Sequence, residues 1–428
     1  MARPTRCILL ALAITLAAGP ATPAGPDDKS GDAGTGEETQ PESDFPDTPA
    51  RKIRKDWNEY DLKILTFKWG IYTLLDWGTA YQDLDSVEQV GRFRDALKIR
   101  DFRLTFKGAF ATRRSITYTA GIMWDGPTSS WFPRETGIQV AIPELWGNVF
   151  VGRQKIGLSL NKISVGYAVW MMERSPMNDA AVPVLADGIK WLGVHPSRRA
   201  NWNVAYFHNT LPKNPSKGVY DDQVVARFVY VPLIPEEDGA LLHLGVAYAW
   251  GKFTDGVARL KARPESFTAP FFLDTGTFPA VENHMVGLEA YLQRHSWLFG
   301  SEYLFDQIQS SRSGNPLLHG GEIFAAWLLT GEEHPYEDVG GRLGFVIPDR
   351  SVFDGGPGAI EPVLHLSYTD FDDGTVRGGR FWRLTPHLNW YLDPIVRLEW
   401  NYGLGVLDKD GRRGFTQFFQ ARLMVMIQ

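Results

Sequence analysis

Residues 379–407 read GGRFWRLTPHLNWYLDPIVRLEWNYGLGV, with two alternating runs on either side of Asp393-Pro394. Successive side chains of a strand point to opposite faces, so each run predicts a strand with one apolar and one polar wall. Pro394 favours a tight turn between them. The apolar positions are Leu384, Pro386, Leu388, Trp390 and Leu392 in the first run, and Val396, Leu398, Trp400, Tyr402 and Leu404 in the second.

The same alternation recurs along the chain in about sixteen segments, each close to the length of about 9–11 residues that a tilted membrane strand needs. The wall opposite the apolar one is small or polar, whereas a soluble sandwich buries its apolar wall in a shared core. The pattern predicts an all-β fold, a transmembrane antiparallel β-barrel of about sixteen strands. The segments are 62–76, 99–110, 114–125, 136–143, 146–153, 187–195, 201–209, 222–233, 240–252, 283–295, 297–309, 318–330, 358–370, 379–392, 395–407 and 414–427.

The N-terminal part of the chain predicts export. Arg3 and Arg6 precede a short apolar run and then small residues, which predicts a signal peptide over residues 1–24. Residues 25–58 begin with a stretch of eight acids and one lysine, typical of a disordered leader, which we expect in the periplasm. The barrel would then occupy residues 59–428 in the outer membrane of a Gram-negative-type bacterium.

The connections between segments support a barrel with both termini at one end. Links after even-numbered segments are mostly short, and links after odd-numbered segments are longer, as expected of such barrels. The two longest odd-numbered links are 154–186 and 253–282. One even-numbered link, residues 331–357, is long and breaks the rule.

Four stretches resemble the phosphate-selective porin (porin O and P) family, and the likeness covers about residues 60–428. The resemblance implies a sixteen-stranded outer-membrane barrel, often a homotrimer, that passes anions over basic side chains. It also implies that the third and fifth outer loops and one long periplasmic turn fold into the lumen. The chain departs from the family in ending on Met426-Ile427-Gln428 rather than on an aromatic residue. The four stretches are Gly152-Arg153-Gln154-Lys155 with Met172-Glu173-Arg174-Ser175, Leu329-Thr330-Gly331-Glu332 with Pro335-Tyr336, Gly356-Pro357-Gly358-Ala359-Ile360-Glu361, and Leu388-Asn389-Trp390-Tyr391-Leu392-Asp393-Pro394 with Val396-Arg397-Leu398.

A porin needs no catalytic group or cofactor, only a constriction whose width and charge select solutes. A row of fixed cations in a narrowed lumen favours anions. An exposed basic loop, or one bound to lipopolysaccharide phosphates, is the alternative. The candidates are Arg153, Lys155, Lys162 and Arg174 in the third outer loop, and Arg259, Lys261 and Arg263 in the fifth.

The predicted lumen face carries charges of both signs, which favours cross-strand pairing over a strong net field. We therefore expect weak anion preference for small hydrophilic solutes, phosphate or similar, rather than strict phosphate selectivity. The basic positions are Arg103, Lys107, Arg227, Arg383, Arg397 and Arg422, and the acidic ones are Glu289, Glu302, Glu322, Glu361 and Glu399.

Other functions remain open from the residues alone. A barrel hydrolase would use Ser367 with His365 or His387, and Glu361 nearby, if these came within hydrogen-bonding reach. Asp370, Asp372 and Asp373 offer oxygen ligands for a metal ion, although an ordinary turn fits this spacing better. A soluble secreted all-β binding module is the third alternative. The body of the chain is nearly neutral, which argues against nucleic acid as a partner.

Overall fold

In a computed structural model the chain divides into two units, residues 1–54 and 55–428. The structure describes residues 57–126, 128–164, 166, 169–211 and 219–427. The predicted signal peptide and most of the predicted leader therefore lie outside the described residues.

Sixteen antiparallel strands form a closed barrel, whose last strand is hydrogen-bonded to its first, as predicted. The short strand β1 adds to β2, and β5 continues the line of β6 along β4. The pairs β12–β15, β13–β14 and β19–β20 lie outside the barrel wall. In chain order the strands are β1 (Glu59–Asp61), β2 (Thr66–Gln82), β3 (Ala96–Ala109), β4 (Ile116–Asp125), β5 (Ser130–Pro133), β6 (Thr136–Ile142), β7 (Gly147–Gln154), β8 (Leu185–Val194), β9 (Ala200–Leu211), β10 (Tyr220–Leu233), β11 (Leu241–Phe253), β12 (Val257–Ala258), β13 (Lys261–Ala262), β14 (Leu273–Asp274), β15 (Phe278–Pro279), β16 (Glu282–Arg294), β17 (Trp297–Ile308), β18 (Leu317–Trp327), β19 (Tyr336–Glu337), β20 (Arg342–Leu343), β21 (Ala359–Asp373), β22 (Val376–Tyr391), β23 (Val396–Lys409) and β24 (Arg412–Ile427).

The helices of the described part are short and lie in the connections. Asp83 begins the first by accepting a hydrogen bond from the backbone N–H of Ser86, and Ser159 begins the second in the same way with Lys162. None of them is long and apolar enough to cross a membrane. They are α1 (Leu84–Val90), α2 (Leu160–Ile163), α3 (Pro176–Ala181) and α4 (Pro235–Asp238), with single 3₁₀ turns at Pro143–Leu145, Thr254–Gly256, Ser311–Ser313 and Val352–Asp354.

The two alternating runs within residues 379–407 form the hairpin of β22 and β23, with Leu388 opposite Trp400. Its turn depends on Asp393, whose Oδ1 accepts from the backbone N–H groups of Ile395 and Val396 at 2.8 and 2.6 Å. This is the local chemistry that an Asp-Pro sequence favours in a turn.

Apolar side chains face outward and polar ones face the lumen, as the alternation predicts. On β21, Leu364 and Leu366 are 54% and 43% exposed, whereas His365 and Ser367 between them are each 1% exposed. A soluble sandwich would turn the leucines inward, so the barrel exterior is the apolar surface that meets lipid.

Three connections fill a large part of the lumen, which confirms the expected inward folding. We name them loop L3 (residues 155–184), loop L5 (residues 254–281) and turn T6 (residues 328–358). Trp170 of L3 stacks on Phe324 of β18 with ring centroids 4.2 Å apart. Phe272 of L5 packs edge-on against Phe381 of β22, and Tyr336 of T6 against His243 of β11. L3 and L5 enter from one end, called here the loop end, and T6 enters from the terminal end, where β2 begins and β24 finishes.

Candidate permeation pathway

Among the described residues, two cavities lie on the side of the lumen formed by β2–β9. The larger has a volume of about 860 Å³ and lies between these strands and residues of L3 and T6. The smaller, about 60 Å³, lies beside L3. Arg103, Arg134 and Lys155 line both cavities and so mark their junction.

Basic side chains outnumber acidic ones around both cavities. An excess of fixed positive charge in a narrow aqueous space raises the local concentration of anions. The larger cavity is lined by Lys68, Arg103, Lys107, Arg134, Lys155, Lys190 and Arg342 against Glu59, Glu135 and Glu337. The smaller is lined by Arg100, Arg103, Arg134, Lys155, Lys162, Arg174 and Arg422 against Asp101, Glu173 and Asp179.

The junction residues come from three separate parts of the chain. Arg103, on β3, donates to Asp101 at 2.5 Å, and Arg134, between β5 and β6, donates to Glu135 at 2.9 Å. Lys155 begins L3, and its Nζ donates to the backbone oxygens of Ile163 and Ser164 at 3.2 and 2.8 Å. The wall thus supplies two cations and the loop one.

Charge and burial oppose each other at this junction. Burial lowers the pKa of Lys155 well below its ordinary value, although Glu135 favours the charged form. Burial alone would raise the pKa of Glu135, but Arg134 and Lys155 bring it down to about 2. Glu135 therefore stays ionised and neutralises part of the basic field.

Three lysines of the pathway have no acid in direct contact. Within the described residues, Lys107, Lys155 and Lys190 have no carboxylate oxygen within 4.0 Å of Nζ. Lys190 donates instead to the backbone oxygen of Lys155 at 3.2 Å. When protonated, these lysines supply positive field that cross-strand pairing does not neutralise.

The predicted residues of the third loop divide into two groups. Lys155, Lys162 and Arg174 line the cavities, with Lys162 donating to the backbone oxygen of Asn178 at 3.1 Å. Arg153 lies on the outward face of β7 and pairs with Asp187 at 2.9 Å. It lines neither cavity, because it continues the outward row of Val151, so we exclude it from the pathway.

The predicted residues of the fifth loop lie together and line neither cavity. Arg259 and Lys261 both contact Asp274, at 2.7 and 3.8 Å. Lys261 and Arg263 both lie over the ring of Phe271, at 4.1 and 4.4 Å from its centroid. The three cations are therefore linked by shared contacts with one acid and one aromatic ring.

A family model described as "Phosphate-selective porin O and P" matches residues 75–427. This chain belongs to the porin O and P family. It is therefore an outer-membrane porin, a channel and not an enzyme.

Solved porins share the fold of this porin at low sequence identity. OmpF of Salmonella typhi, in complex with daunomycin, matches with a TM-score of 0.56 and 10% identity over 86% of this chain and 100% of that chain. OprB of Pseudomonas putida gives 0.52, with 9% identity over 85% and 94% of the two chains. An anion-selective porin from Comamonas acidovorans gives 0.50, with 12% identity over 84% and 99%. An uncharacterized protein of Caulobacter vibrioides is 27% identical over 189 residues, 43% of this porin and 37% of that protein.

The residues considered for hydrolysis are buried parts of the porin's loop contacts. Ser367 donates to Glu265 of L5, and Nε2 of His365 lies 3.2 Å from Glu322. His387 bonds to Asn389 at 2.6 Å. None of the three side chains is more than 4% exposed, so no solute reaches them.

The aspartates considered for a metal ion complete a hairpin turn of the porin. Asp370 pairs with Arg380 at 2.9 Å, and Asp372 accepts from the backbone N–H of Gly379 at 2.8 Å. In the described part of the chain, no group of three or more His, Cys, Asp or Glu residues is arranged to hold a metal ion.

Several residues that line the cavities are not identified by the sequence analysis. Arg134 lies in a link that carries no recognised motif, and Arg342 lies in the irregular T6 turn. Lys190 was within a predicted strand, and its alternation with Ile189 and Trp191 was the signal that it faces the lumen.

Proposed function

We propose that this porin lets small hydrophilic anions, phosphate among them, diffuse along the β2–β9 side of its lumen with a weak preference over cations. The observation that carries the proposal is the junction of Arg103, Arg134 and Lys155, which both cavities share. A solute that passes between the cavities meets two wall cations and one loop cation.

The preference is expected to be weak because most of the cations are paired. Arg100 and Arg422 both bond to Glu173 at 2.7 Å, and Arg103 and Arg134 have acids of their own. Paired charges project little net field into water. The remaining positive field then comes mainly from Lys107, Lys155 and Lys190 when they are protonated, because they have no acid in direct contact.

Reversal potentials of the purified porin in a planar bilayer, with a salt gradient across it, test this proposal. We expect a modest shift toward the equilibrium potential of the anion, with phosphate replacing chloride as a permeant ion. A clear cation preference, or no conductance at all, would contradict it.

We also propose that the terminal end faces the periplasm and that the loop end faces outward. Short turns on the periplasmic side and longer loops outside are the rule for outer-membrane barrels, and the links at 143–146 and 295–296 are short. The sequence has one Cys, inside the predicted signal peptide. A cysteine introduced at Asp410 should therefore react with an impermeant maleimide in intact cells, and labelling only after permeabilisation would reverse the orientation.

Lipopolysaccharide is the lipid partner we propose at the loop end. A concavity between the turns at 374–375 and 410–411 is lined by five basic residues and three aspartates. Arg377 donates there only to the backbone oxygens of Gly374 and Val376, and Lys409 has no ion pair within the described residues. Replacing both residues by Gln should lower the lipopolysaccharide retained by the purified porin several-fold, and replacing Arg312, outside the concavity, should not. Equal retention by both variants would exclude the site.

A homotrimer is proposed from the family resemblance. Blue-native electrophoresis and chemical cross-linking of the porin in outer membranes should give a species of three chains. A monomer under both conditions would contradict the proposal.

A further inference from the structure

Three glutamates form a continuous row across neighbouring strands of the lumen wall. Glu289 on β16 is the cross-strand partner of Glu302 on β17, which is in turn the partner of Glu322 on β18. They are 6%, 1% and 5% exposed. Like charges directly opposite each other destabilise a sheet, so this carboxylate row requires donors from elsewhere.

Loop L3 supplies most of those donors. The backbone N–H of Leu160 donates to Glu289 at 2.6 Å, and that of Asn161 to Glu302 at 2.7 Å. The side-chain amide of Asn161 donates to Glu322 at 2.5 Å. The side-chain amide of Asn178, from α3 of the same loop, donates to Glu302 at 3.1 Å. These four hydrogen bonds attach L3 to this wall, and each is stronger while its carboxylate is ionised.

The attached segment of L3 also holds the pathway cations in place. Lys155 and Arg174 both donate to the backbone oxygen of Ser164, directly after α2. Lys162 belongs to α2 and donates to Asn178. The position of all three cations therefore depends on residues 159–164 and on Asn178, which the carboxylate row fixes.

The glutamates themselves do not line either cavity. Any effect that they have on permeation must therefore pass through the loop.

We propose that Glu289, Glu302 and Glu322 are positioning residues that determine where L3 places the constriction cations. This inference rests on the proposed pathway, because it concerns the loop that bounds it. This role differs from the cross-strand pairing that mixed charges predict, since Glu302 and Glu322 have a loop rather than an arginine as their chief partner.

Other groups also face the row, and they bear on its response to pH. Arg227 and His243 face Glu289 at 2.5 and 3.7 Å, and the Tyr291 hydroxyl donates to Glu302 at 2.7 Å. His365 lies 3.2 Å from Glu322 and 3.6 Å from Glu265 of L5. Acidification removes negative charge from the row and makes each carboxyl group a weaker acceptor for the loop. The attachment of L3 should therefore weaken as the pH falls.

Glu302→Gln tests the proposal, with Asp306→Asn as its matched control. Asp306 is on the same strand and the same face, is fully buried, and accepts from Asn283 rather than from L3. In planar bilayers between about pH 4 and pH 8, which spans carboxyl titration, we expect the wild-type channel to close more often as the pH falls. Glu302→Gln should close several-fold more often at neutral pH, with a flatter pH profile and a changed reversal potential. Asp306→Asn should behave like the wild type.

Asn161→Ala weakens the same attachment from the loop side and leaves the wall intact, which covers the case that Glu302→Gln does not fold. The inference would be overturned if the folded variants had the same closure rates, pH profile and reversal potential as the wild type. Absence of anion preference in the wild type would refute the proposed function only, because the closure rates of the variants would still report on the loop.

Discussion

Arg422 on the last strand of the barrel holds Asp76 on the first through two hydrogen bonds of 2.6 and 2.7 Å. The two residues are direct partners across the closing seam between β24 and β2. The same guanidinium also donates to Glu173 of L3 at 2.7 Å. One side chain therefore ties together the closure of the barrel and the loop that bounds the pathway.

Asp76→Ala should destabilise the barrel strongly. Removing one partner of a buried ion pair costs about 3–5 kcal/mol when the remaining charge is left uncompensated. Arg422 keeps its contact with Glu173, so we expect a cost near the lower end of that range. Urea unfolding in detergent, followed by heat-modifiable migration on gels, measures the change. Arg413→Gln is the control on the same strand: its contact with Asp408 is exposed and 3.9 Å long, so it should cost at most about 1 kcal/mol. Similar losses of unfolding free energy in both variants would show that the Asp76–Arg422 pair stabilises the barrel no more than an exposed ion pair does.

Lys155→Gln should reduce anion preference while leaving the barrel folded. A unit charge about 4 Å from a passing ion contributes about 1 kcal/mol in water, so the anion-to-cation permeability ratio should fall by about two- to five-fold. Reversal potentials give the ratio directly. Lys252→Gln removes an exposed lysine from the outward face at the end of β11 and should leave the ratio unchanged. If Lys155→Gln and Lys252→Gln gave the same anion-to-cation permeability ratio, Lys155 would lie outside the path of the ions.

Anion preference should fall as the pH rises above neutrality. Burial lowers the pKa of Lys155, so this lysine loses its charge at a lower pH than an exposed lysine does. The loss of preference should therefore begin before pH 10.5, the ordinary value of a lysine. Lys155→Arg should keep its preference over that range, because an arginine remains protonated. If the anion-to-cation permeability ratio of the wild type did not change with pH, Lys155 would not be a source of the anion preference.

Gly403→Ala should loosen L5. A Cβ atom at residue 403 would overlap the side chain of Arg383, which donates to the backbone oxygens of Pro264 and Glu265 in L5. Overpacking of this kind costs about 1–3 kcal/mol, and we expect faster trypsin cleavage at Lys261. Gly287→Ala is the matched control, because its nearest neighbour is the flexible end of Leu304 at 3.0 Å. Unchanged cleavage in Gly403→Ala would show that Arg383 does not secure the loop.

The strands could be predicted from the sequence because their signal is local. Alternation fixes which side chains face lipid, and all sixteen predicted segments correspond to strands of the wall. The ends differ by a few residues where strands continue beyond the apolar band, as at Asp370–Asp373. Asp370 and Asp372 accept hydrogen bonds within the hairpin, so the strand continues although the apolar alternation has ended.

The pathway could be predicted only in part, because its residues meet through ring closure and loop insertion. Lys155, Lys162 and Arg174 could be predicted to lie near one another because one loop carries all three. Arg134 and Lys155 lie just beyond the paired ends of β6 and β7, where Thr136 is opposite Arg153. The predicted segments 136–143 and 146–153 stop short of both residues, so the alternation does not reveal that they meet. Arg153 was placed in the loop, although it is still within the alternation of β7.

The uneven filling of the lumen has a mechanical consequence. On one side the passage is bounded by β2–β9, where ladder hydrogen bonds fix the distance between neighbouring strands. On the other side it is bounded by L3 and T6, where the ladder in the described part of the chain is the two-residue pair β19–β20. Any change in bore width must therefore come from the loop side, so a solute travels between one rigid boundary and one deformable boundary.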